Sequence, residues 1–205
     1  MVIEKDLTLY DSPIEVYNTV KQAWWHIDHL MNNAGFWEFG QFSENDWKKE
    51  GSMIDLNIRS LTYMTKLFLP EMLDRKYGRI LNVASTAAFQ PGPGMSVYFA
   101  TKSYVLSFTE GISEELLGTW ITVTALCPGP TESGFAEVSH MDSSNLFHGK
   151  KLPSSREVAE YGYSAMIRGK VVAVHGWMNY MLSLSVRFTP RLMIRKIIKH
   201  MQKKI

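Results

Sequence analysis

The sequence has few of the features that mark secreted or membrane-spanning proteins. Cys127 is the only cysteine in 205 residues, which excludes an internal disulfide framework and fits a reducing compartment. No Asn-x-Ser/Thr sequon occurs, and no apolar run approaches the length of a membrane span. Glu4 and Asp6 stand where a secretory signal is basic and then apolar. We therefore expect a cytoplasmic protein.

Acidic residues are missing from the end of the chain. Nine of the 22 basic residues follow Glu160 and none of the 20 acidic residues does, so residues 161–205 carry +9 and the preceding residues −7. Beyond Pro190, which suits a helix start, apolar residues recur at helical spacing with basic residues mainly on the other side. Two interpretations stay open. Such a helix packs its apolar stripe on its own domain, which we favour, or it contacts an anionic membrane surface or a partner.

Metal ions and nucleic acid are not expected ligands. His26 and His29 are three residues apart, but His29 falls in a predicted strand and no Cys, Asp or Glu completes a ligand set. The basic C-terminal run lacks interleaved aromatic residues, and no zinc or helix-turn-helix signature accompanies it. The sequence therefore points to small-molecule ligands.

Short apolar runs alternate with longer helical patterns. The runs predicted as strands are 1–5, 27–35, 78–85, 120–129 and 170–176, and the predicted helices are 13–23, 47–76, 97–117 and 156–168. Strands separated by such helices are typical of a parallel sheet covered on both faces. The sequence predicts one α/β domain over residues 1–205, a doubly wound parallel sheet of Rossmann type. Ligands then lie outside the carboxyl ends of the strands, where residues 128–153 are expected to form a mobile loop over the site.

Two tyrosines are followed four residues later by a lysine, in "YNTVK" from Tyr17 and in "YFATK" from Tyr98. The spacing alone is a weak motif. Only the second pair has a hydroxyl partner, because Ser85 ends the strand "GRILNVAS" 13 residues before Tyr98, whereas Glu4 stands 13 residues before Tyr17. On a helix, Tyr98 and Lys102 project from one face toward the end of that strand.

This arrangement suits proton transfer. A tyrosine with a pKa of about 10 is a poor base at neutral pH. An ammonium about 4 Å away contributes on the order of 4 kcal/mol at an effective dielectric of about 20, which is roughly three pKa units. We therefore expect Lys102 to lower the pKa of Tyr98 into a working range, while Ser85 holds the substrate oxygen.

In order and spacing, these motifs resemble the short-chain dehydrogenase/reductase family over essentially the whole chain. The matching pieces are "NNAG" at 32–35, Asn57 in "DLNIRS", Ser85, "YFATK" at 98–102 and "CPGPTES" at 127–133. The resemblance implies a Rossmann-type sheet that binds NAD or NADP, interconverts alcohols and ketones, and forms homo-oligomers. The segments "EVAEYG" and "VVAVHG" resemble the branch of long-chain and steroid-type ketone reductases, which implies a fairly apolar substrate.

The resemblance also implies roles for individual residues. Tyr98 would be the general acid/base, Lys102 would lower its pKa and bind the nicotinamide ribose, and Ser85 would orient the substrate carbonyl. Asn57 would hold a water that links Lys102 to solvent. The other implied cofactor contacts are Asp6 and Leu7 at the adenine, Asn33, Ala34 and Gly35 along the adenosine ribose, and Pro128, Gly129 and Thr131 beside the nicotinamide amide.

The family's glycine-rich opening is missing. Members begin with a strand, a Thr-Gly-x-x-x-Gly-x-Gly turn and a helix that holds the pyrophosphate, whereas Met1 stands where the family's third strand is expected. We therefore expect an N-terminally truncated fold with low dinucleotide affinity and two unpaired sheet edges. Three explanations stay open: the working protein starts upstream of Met1, which we favour, the strand at 1–5 moves beside 27–35 through the helix at 13–23, or a second chain covers the edge.

Two functions follow from these observations. The first is an NAD(P)-dependent oxidoreductase that uses Tyr98 as proton donor and acceptor. The second is a non-catalytic, truncated member of the family that acts as a partner-binding or membrane-surface protein through its basic end. A serine hydrolase is disfavoured because no Gly-x-Ser-x-Gly elbow occurs.

Overall fold

The computed structural model describes residues 1–132 and 152–201. Within these ranges, four parallel strands form one sheet in the order β1 (His29–Asn32), β2 (Gly78–Val83), β3 (Ile121–Cys127) and β4 (Val172–Val174). Helix α1 (Ser12–Gln22) precedes β1, and α2 (Trp47–Ile54), a π-helical segment (Asp55–Ser60) and α3 (Leu61–Arg75) lead to β2. Helix α4 (Ser96–Glu115) leads to β3, α5 (Ser155–Ile167) to β4, and α6 (Trp177–Ser185) and α7 (Arg191–Met201) follow. The predicted parallel α/β sheet is confirmed.

Each face of the sheet has its own apolar layer, because successive strand residues point to opposite faces. On one face, Ile80 and Val123 pack against Phe68 of α3. On the other face, Leu81 and Leu126 pack against residues of α5. Helices therefore cover both faces, as the doubly wound prediction requires.

A chain of buried polar side chains joins the strands to the helices. Asn82 of β2 is fully buried, accepts a hydrogen bond of 2.9 Å from Asn32 of β1, and donates one of 3.0 Å to Thr109 of α4. The Asn32 amide also donates to Thr65 of α3 at 3.1 Å. Because buried amides are costly unless bonded, this network fixes α3 and α4 against the sheet in one register.

The predicted strand at 1–5 is wrong. No described strand lies beside this segment, so its backbone groups have no ladder to join. It leads instead into a turn in which the Asp6 carboxylate accepts bonds from the Thr8 amide at 2.9 Å and the Thr8 hydroxyl at 2.7 Å. The alternative in which this strand pairs with 27–35 is therefore wrong as well, since β2 is the strand that pairs with β1 in the described sheet.

The helix predicted over 47–76 is confirmed, since α2, the π-helical segment and α3 follow one another without a break from Trp47 to Arg75. Within it, Asp55–Ser60 widen into a π-helical turn between α2 and α3. Such turns are rare and often occur at functional sites. The loop predicted over 128–153 lies largely outside the described residues.

Candidate active site

A cavity of about 570 Å³ opens at the carboxyl ends of the strands. Loop residues after β1, β2 and β3 reach it together with the first turns of α4 and α5, as expected for an open parallel sheet. It brings together nine of the residues singled out in the sequence: Asn33, Ala34, Gly35, Ser85, Tyr98, Lys102, Pro128, Gly129 and Thr131.

Tyr98 lies in the first turn of α4 and is only 9% exposed. Its ring lies 6.3 Å from that of Trp37 and 6.1 Å from that of Phe99, measured between centroids. Burial raises the pKa of Tyr98 to about 12, and hydrogen bonding to the Ser85 side chain acts in the opposite direction. The phenol therefore keeps its proton at neutral pH in the protein alone.

Ser85 follows β2 and caps a short 3₁₀ turn over 86–89, where its hydroxyl oxygen accepts a bond of 3.1 Å from the Ala87 amide. The Ser85 hydroxyl also faces the Pro128 carbonyl at 3.5 Å. A backbone bond also links the segments that follow β2 and β3, because the Thr86 amide donates to the Pro128 carbonyl at 2.9 Å. The ends of β2 and β3 are thus tied together at Ser85, whose side chain hydrogen-bonds to the Tyr98 phenol.

Lys102 is 5% exposed and donates a hydrogen bond of 2.7 Å to the Val83 carbonyl. Burial lowers the pKa of Lys102 to about 8. Its ammonium lies 5.8 Å from the centroid of the Tyr98 ring. The expected lowering of the Tyr98 pKa is wrong for the protein alone, because desolvation of the phenol is the largest influence and the ammonium is held by Val83.

Asn57 lies in the π-helical segment, is 1% exposed, and does not line the cavity. Its amide group accepts a bond from the Phe36 amide at 3.2 Å and donates to the Phe36 carbonyl at 3.0 Å and the Thr101 hydroxyl at 3.1 Å. A side chain on Gly35 would come within 2.9 Å of the Asn57 oxygen and 3.5 Å of the Lys102 nitrogen. Gly35 is thus wedged between the two polar residues behind the site.

Asp6 and Leu7, which the resemblance assigns to the adenine end of the cofactor, do not line the main cavity. Leu7 lines a smaller cavity of about 90 Å³ that shares Asn33 and Ala34 with the main one. Asp6 lines neither of these two cavities, and its bonds to Thr8 lower the pKa of its carboxyl group. The structure therefore brings Leu7, but not Asp6, to the edge of the site.

Sequence reasoning missed the apolar wall of the cavity. Trp37, Met95 and Phe99 line it beside Tyr98, and α5 contributes Ser155, Val158 and Ala159. One signal was present, since the glycines of "PGPG" at 91–94 leave room for aromatic rings. A side chain on Gly92 would come within 2.2 Å of the Phe99 ring.

Residues 1–143 match the family model described as short chain dehydrogenase. An uncharacterised oxidoreductase, YvrD, of Bacillus subtilis (strain 168) is 39% identical over 105 residues, which are 51% of this chain and 40% of that protein. The NADP-dependent 3-hydroxy acid dehydrogenase YdfG of Escherichia coli (strain K12) is 39% identical over 120 residues, 56% of this chain and 47% of that protein. The chain thus spans about half the length of the curated relatives it matches.

Solved structures agree with this assignment. The short-chain dehydrogenase of Sphingobium yanoikuyae in complex with NADPH is 25% identical, superimposes with a TM-score of 0.75, and is matched over 89% of this chain and 71% of its own. The shared fold, the matched family model and the order of motifs at the strand ends agree with one another. The chain belongs to the short chain dehydrogenase family.

Proposed function

We propose that this chain carries the catalytic half of an NAD(P)-dependent oxidoreductase that interconverts an alcohol and a ketone. The observation that carries the proposal is the joint placement of Tyr98, Ser85 and Lys102, all buried or half-buried, in one cavity at the carboxyl edge of the sheet. The relative from Escherichia coli is named as NADP-dependent, and the Sphingobium structure holds NADPH, which supports the cofactor class.

The residues of the cavity fit the nicotinamide end of such a cofactor. Lys102 offers a buried donor, and residues 128–131 bring backbone into the cavity without large side chains. The lack of a side chain at Gly35 lets the backbone of this residue lie close to the side chains of Asn57 and Lys102. Among the described residues, no glycine-rich turn that opens a helix is present for the pyrophosphate. When bound, the reduced nicotinamide supplies a hydride to the carbonyl carbon.

In ketone reduction, Tyr98 gives its phenolic proton to the carbonyl oxygen as that oxygen gains charge. A pKa of about 12 in the protein alone keeps this proton in place until it is needed. Ser85 holds the same oxygen through its hydroxyl, and its hydrogen bonding to Tyr98 stabilises the phenolate that is left behind. In alcohol oxidation the steps reverse, and the phenolate of Tyr98 accepts the hydroxyl proton.

The substrate that fits this cavity is fairly apolar. Trp37, Met95 and Phe99 form one wall, and four alanines, two valines and a leucine add further apolar surface. Asn33 and Gln90 are the two side-chain amides among the described lining residues. An apolar ketone or secondary alcohol is therefore the substrate class we propose, in a cytoplasmic protein that forms homo-oligomers.

Dinucleotide titration separates this proposal from the alternative of a non-catalytic family member. Trp37 lines the cavity and is 7% exposed, so a bound nicotinamide is expected to quench its fluorescence. NADH and NADPH are titrated into the chain and into a Trp37→Phe control, which is expected to lose most of the signal. Absence of any saturable quench at millimolar dinucleotide contradicts the oxidoreductase and favours the non-catalytic alternative.

A further inference from the structure

Helix α6 presents apolar side chains to solvent and polar ones to the domain. Its buried residue is Ser183, and Asn179 on the same side is half-buried and bonded to a backbone carbonyl. The side chains turned outward are apolar and 44–74% exposed: Trp177, Met178, Met181 and Leu182. A surface helix normally has the opposite arrangement. A contiguous apolar face of this kind marks a contact surface.

Helix α7 has an apolar stripe that is wider than the surface it packs on. Ile194 and Ile198 are 5% and 8% exposed and join the apolar cluster that contains Tyr98, which confirms that this helix packs on its own domain. Met193 and Ile197, one turn apart on the flank of the same stripe, remain 54% and 49% exposed. Part of the stripe is therefore left for another contact.

The exposed acidic or basic side chains that α7 itself contributes beside this apolar surface are all basic. Arg191, Arg195, Lys196 and Lys199 of α7 are exposed, and none of them forms an ion pair within the described part of the chain. No acidic residue follows Glu160 anywhere in the sequence. Both helices adjoin one apolar cluster, since α6 contacts the turn over 86–89 and Ala87 of that turn belongs to the cluster that holds Ile194 and Ile198. Their exposed apolar residues and the basic residues of α7, within 177–199, are together called the C-terminal face below.

We propose that the C-terminal face docks on an anionic lipid bilayer and lies in its interfacial layer. Exposed apolar residues flanked by Lys and Arg are the combination that binds such surfaces, through burial in the acyl boundary and attraction to the headgroups. A second copy of the chain is a poorer occupant, because it brings two groups of like charge together. Docking does not require a span, and no helix in residues 1–132 or 152–201 is long and apolar enough to cross a bilayer.

Docking at this face places the membrane beside the candidate active site. Helix α6 contacts the turn over 86–89 that follows Ser85, and Gly129 of the cavity lies against Asn179 of α6. Helix α7 packs on the cluster that holds Tyr98 and Trp37. This consequence rests on the proposed function: an apolar substrate dissolved in the bilayer would then enter the cavity without crossing water. The docking itself does not depend on any activity.

Sedimentation with vesicles tests the charge requirement. The chain is expected to bind vesicles of phosphatidylcholine containing phosphatidylglycerol, and to release them as salt is raised. Each basic residue near such a surface contributes about fivefold to binding, so Arg195→Gln, Lys196→Gln and Lys199→Gln together are expected to weaken it about a hundredfold. The matched control, Lys66→Gln, Arg168→Gln and Lys170→Gln, removes the same charge from other exposed positions and is expected to bind as the wild type does.

Quenching by brominated lipids tests insertion of the apolar residues. Trp177 is 74% exposed on α6, and Trp120 is 76% exposed before β3. Lipid quenching is expected to disappear in Trp177→Phe and to persist in Trp120→Phe. The proposal would be overturned if the two triple variants bound vesicles equally well, or if quenching by brominated lipid persisted in Trp177→Phe. A third result would also overturn it: the chain dimerises in the absence of vesicles, Met193→Ser and Ile197→Ser abolish the dimer, and vesicles are not bound. The C-terminal face would then be a contact between two copies of the chain.

Discussion

The Lys102 ammonium donates to the Val83 carbonyl at 2.7 Å and lies 5.8 Å from the centroid of the Tyr98 ring. The end of β2 therefore holds the cation beside the aromatic ring without a direct bond to the phenol. Burial affects both groups in the direction of neutrality, raising the pKa of Tyr98 to about 12 and lowering that of Lys102 to about 8. At neutral pH the site therefore holds the buried Lys102 ammonium, which lowers the free energy of unfolding.

Replacement of Lys102 by methionine is expected to stabilise the fold at neutral pH. The pKa of this lysine falls from 10.5 to about 8 on folding, so the unfolded chain holds more protons between these values and wild-type stability rises with pH across that window. At neutral pH, Lys102→Met is expected to gain on the order of 1–3 kcal/mol in the free energy of unfolding, because the lost bond to Val83 offsets part of the relief. Urea unfolding at neutral pH and at about pH 9.5 measures the difference.

The difference between Lys102→Met and wild type is expected to shrink toward high pH, as the wild-type lysine becomes neutral in both states. Lys66 is exposed on α3, and Lys66→Met serves as the control that shows no such pH dependence. A Lys102→Met variant that is less stable than wild type at neutral pH contradicts the buried-charge account.

Removal of the Ser85 hydroxyl is expected to alter the pH dependence of alcohol oxidation. Oxidation needs the Tyr98 phenolate, so its rate rises with pH below the pKa of Tyr98, and hydrogen bonding to Ser85 lowers that pKa. In Ser85→Ala the rise should move to higher pH, with kcat lower by about a hundredfold. The pH profile of kcat/KM is the measurement. Ser103→Ala, which removes a hydroxyl bonded to the Ala88 carbonyl, should leave the profile in place, and an unchanged profile in Ser85→Ala would argue against the assigned role.

Asn57 is expected to be a stability determinant of the region behind the site. Its amide satisfies both backbone groups of Phe36 and the Thr101 hydroxyl from a position that is 1% exposed. Asn57→Ala removes the partner of both Phe36 backbone groups, while the Thr101 hydroxyl keeps its bond to the Tyr98 carbonyl, and the variant is expected to lower the free energy of unfolding by about 1–3 kcal/mol. Asn18, exposed on α1, provides the control Asn18→Ala, expected within about 0.5 kcal/mol of wild type. Equal stabilities of the two variants would contradict the bridging role.

Two glycines are expected to respond oppositely to alanine. In Gly35→Ala the new methyl group meets the Asn57 oxygen at 2.9 Å, so the side chain behind the site must shift and stability should fall. Gly111 lies on the exposed side of α4, where an added methyl group meets no atom within 4 Å other than the neighbouring residues and backbone of its own helix. Gly111→Ala is expected to raise the free energy of unfolding by about 0.5–1 kcal/mol, because alanine loses less entropy in a helix. Thermal unfolding of both variants checks the signs, and a stabilised Gly35→Ala would show that the packing is looser than described.

The core of the site could be predicted because its determinants are local. Ser85 stands at a strand end, and Tyr98 and Lys102 stand one helical turn apart, so hydrophobic pattern and spacing were enough to place them together. The strand at 1–5 could not be judged in this way, since an apolar run becomes a strand only if another strand lies beside it. The direction of the Tyr98 pKa shift was missed for a related reason. It depends on burial by Trp37 and Phe99, which sequence spacing does not reveal.

Other features depend on contacts between distant segments. The π-helical turn around Asn57 is accompanied by bonds to residues 21 and 44 positions away along the chain. Residues of α5 line the cavity because the segment before α5 is held against the segment after β3, where the Glu132 amide donates to the Pro153 carbonyl at 2.9 Å. Neither relationship leaves a periodic signal in the sequence. The outward orientation of the apolar side chains of α6 could not be predicted from the sequence either, because the composition of "WMNYMLSLS" suits a buried helix as well as a contact surface.

The most direct test of the proposed chemistry is ketone-dependent oxidation of NADPH and NADH by wild type, Tyr98→Phe and Tyr104→Phe, assayed with a panel of apolar ketones. Tyr104 lies on the same helix, and its hydroxyl bonds to Thr62 at 3.1 Å, so Tyr104→Phe controls for loss of a phenolic group outside the site. Tyr98→Phe is expected to lose at least about a hundredfold in kcat with an unchanged circular dichroism spectrum, while Tyr104→Phe keeps wild-type turnover. Wild-type turnover in Tyr98→Phe, or no turnover in any of the three proteins, would contradict the account.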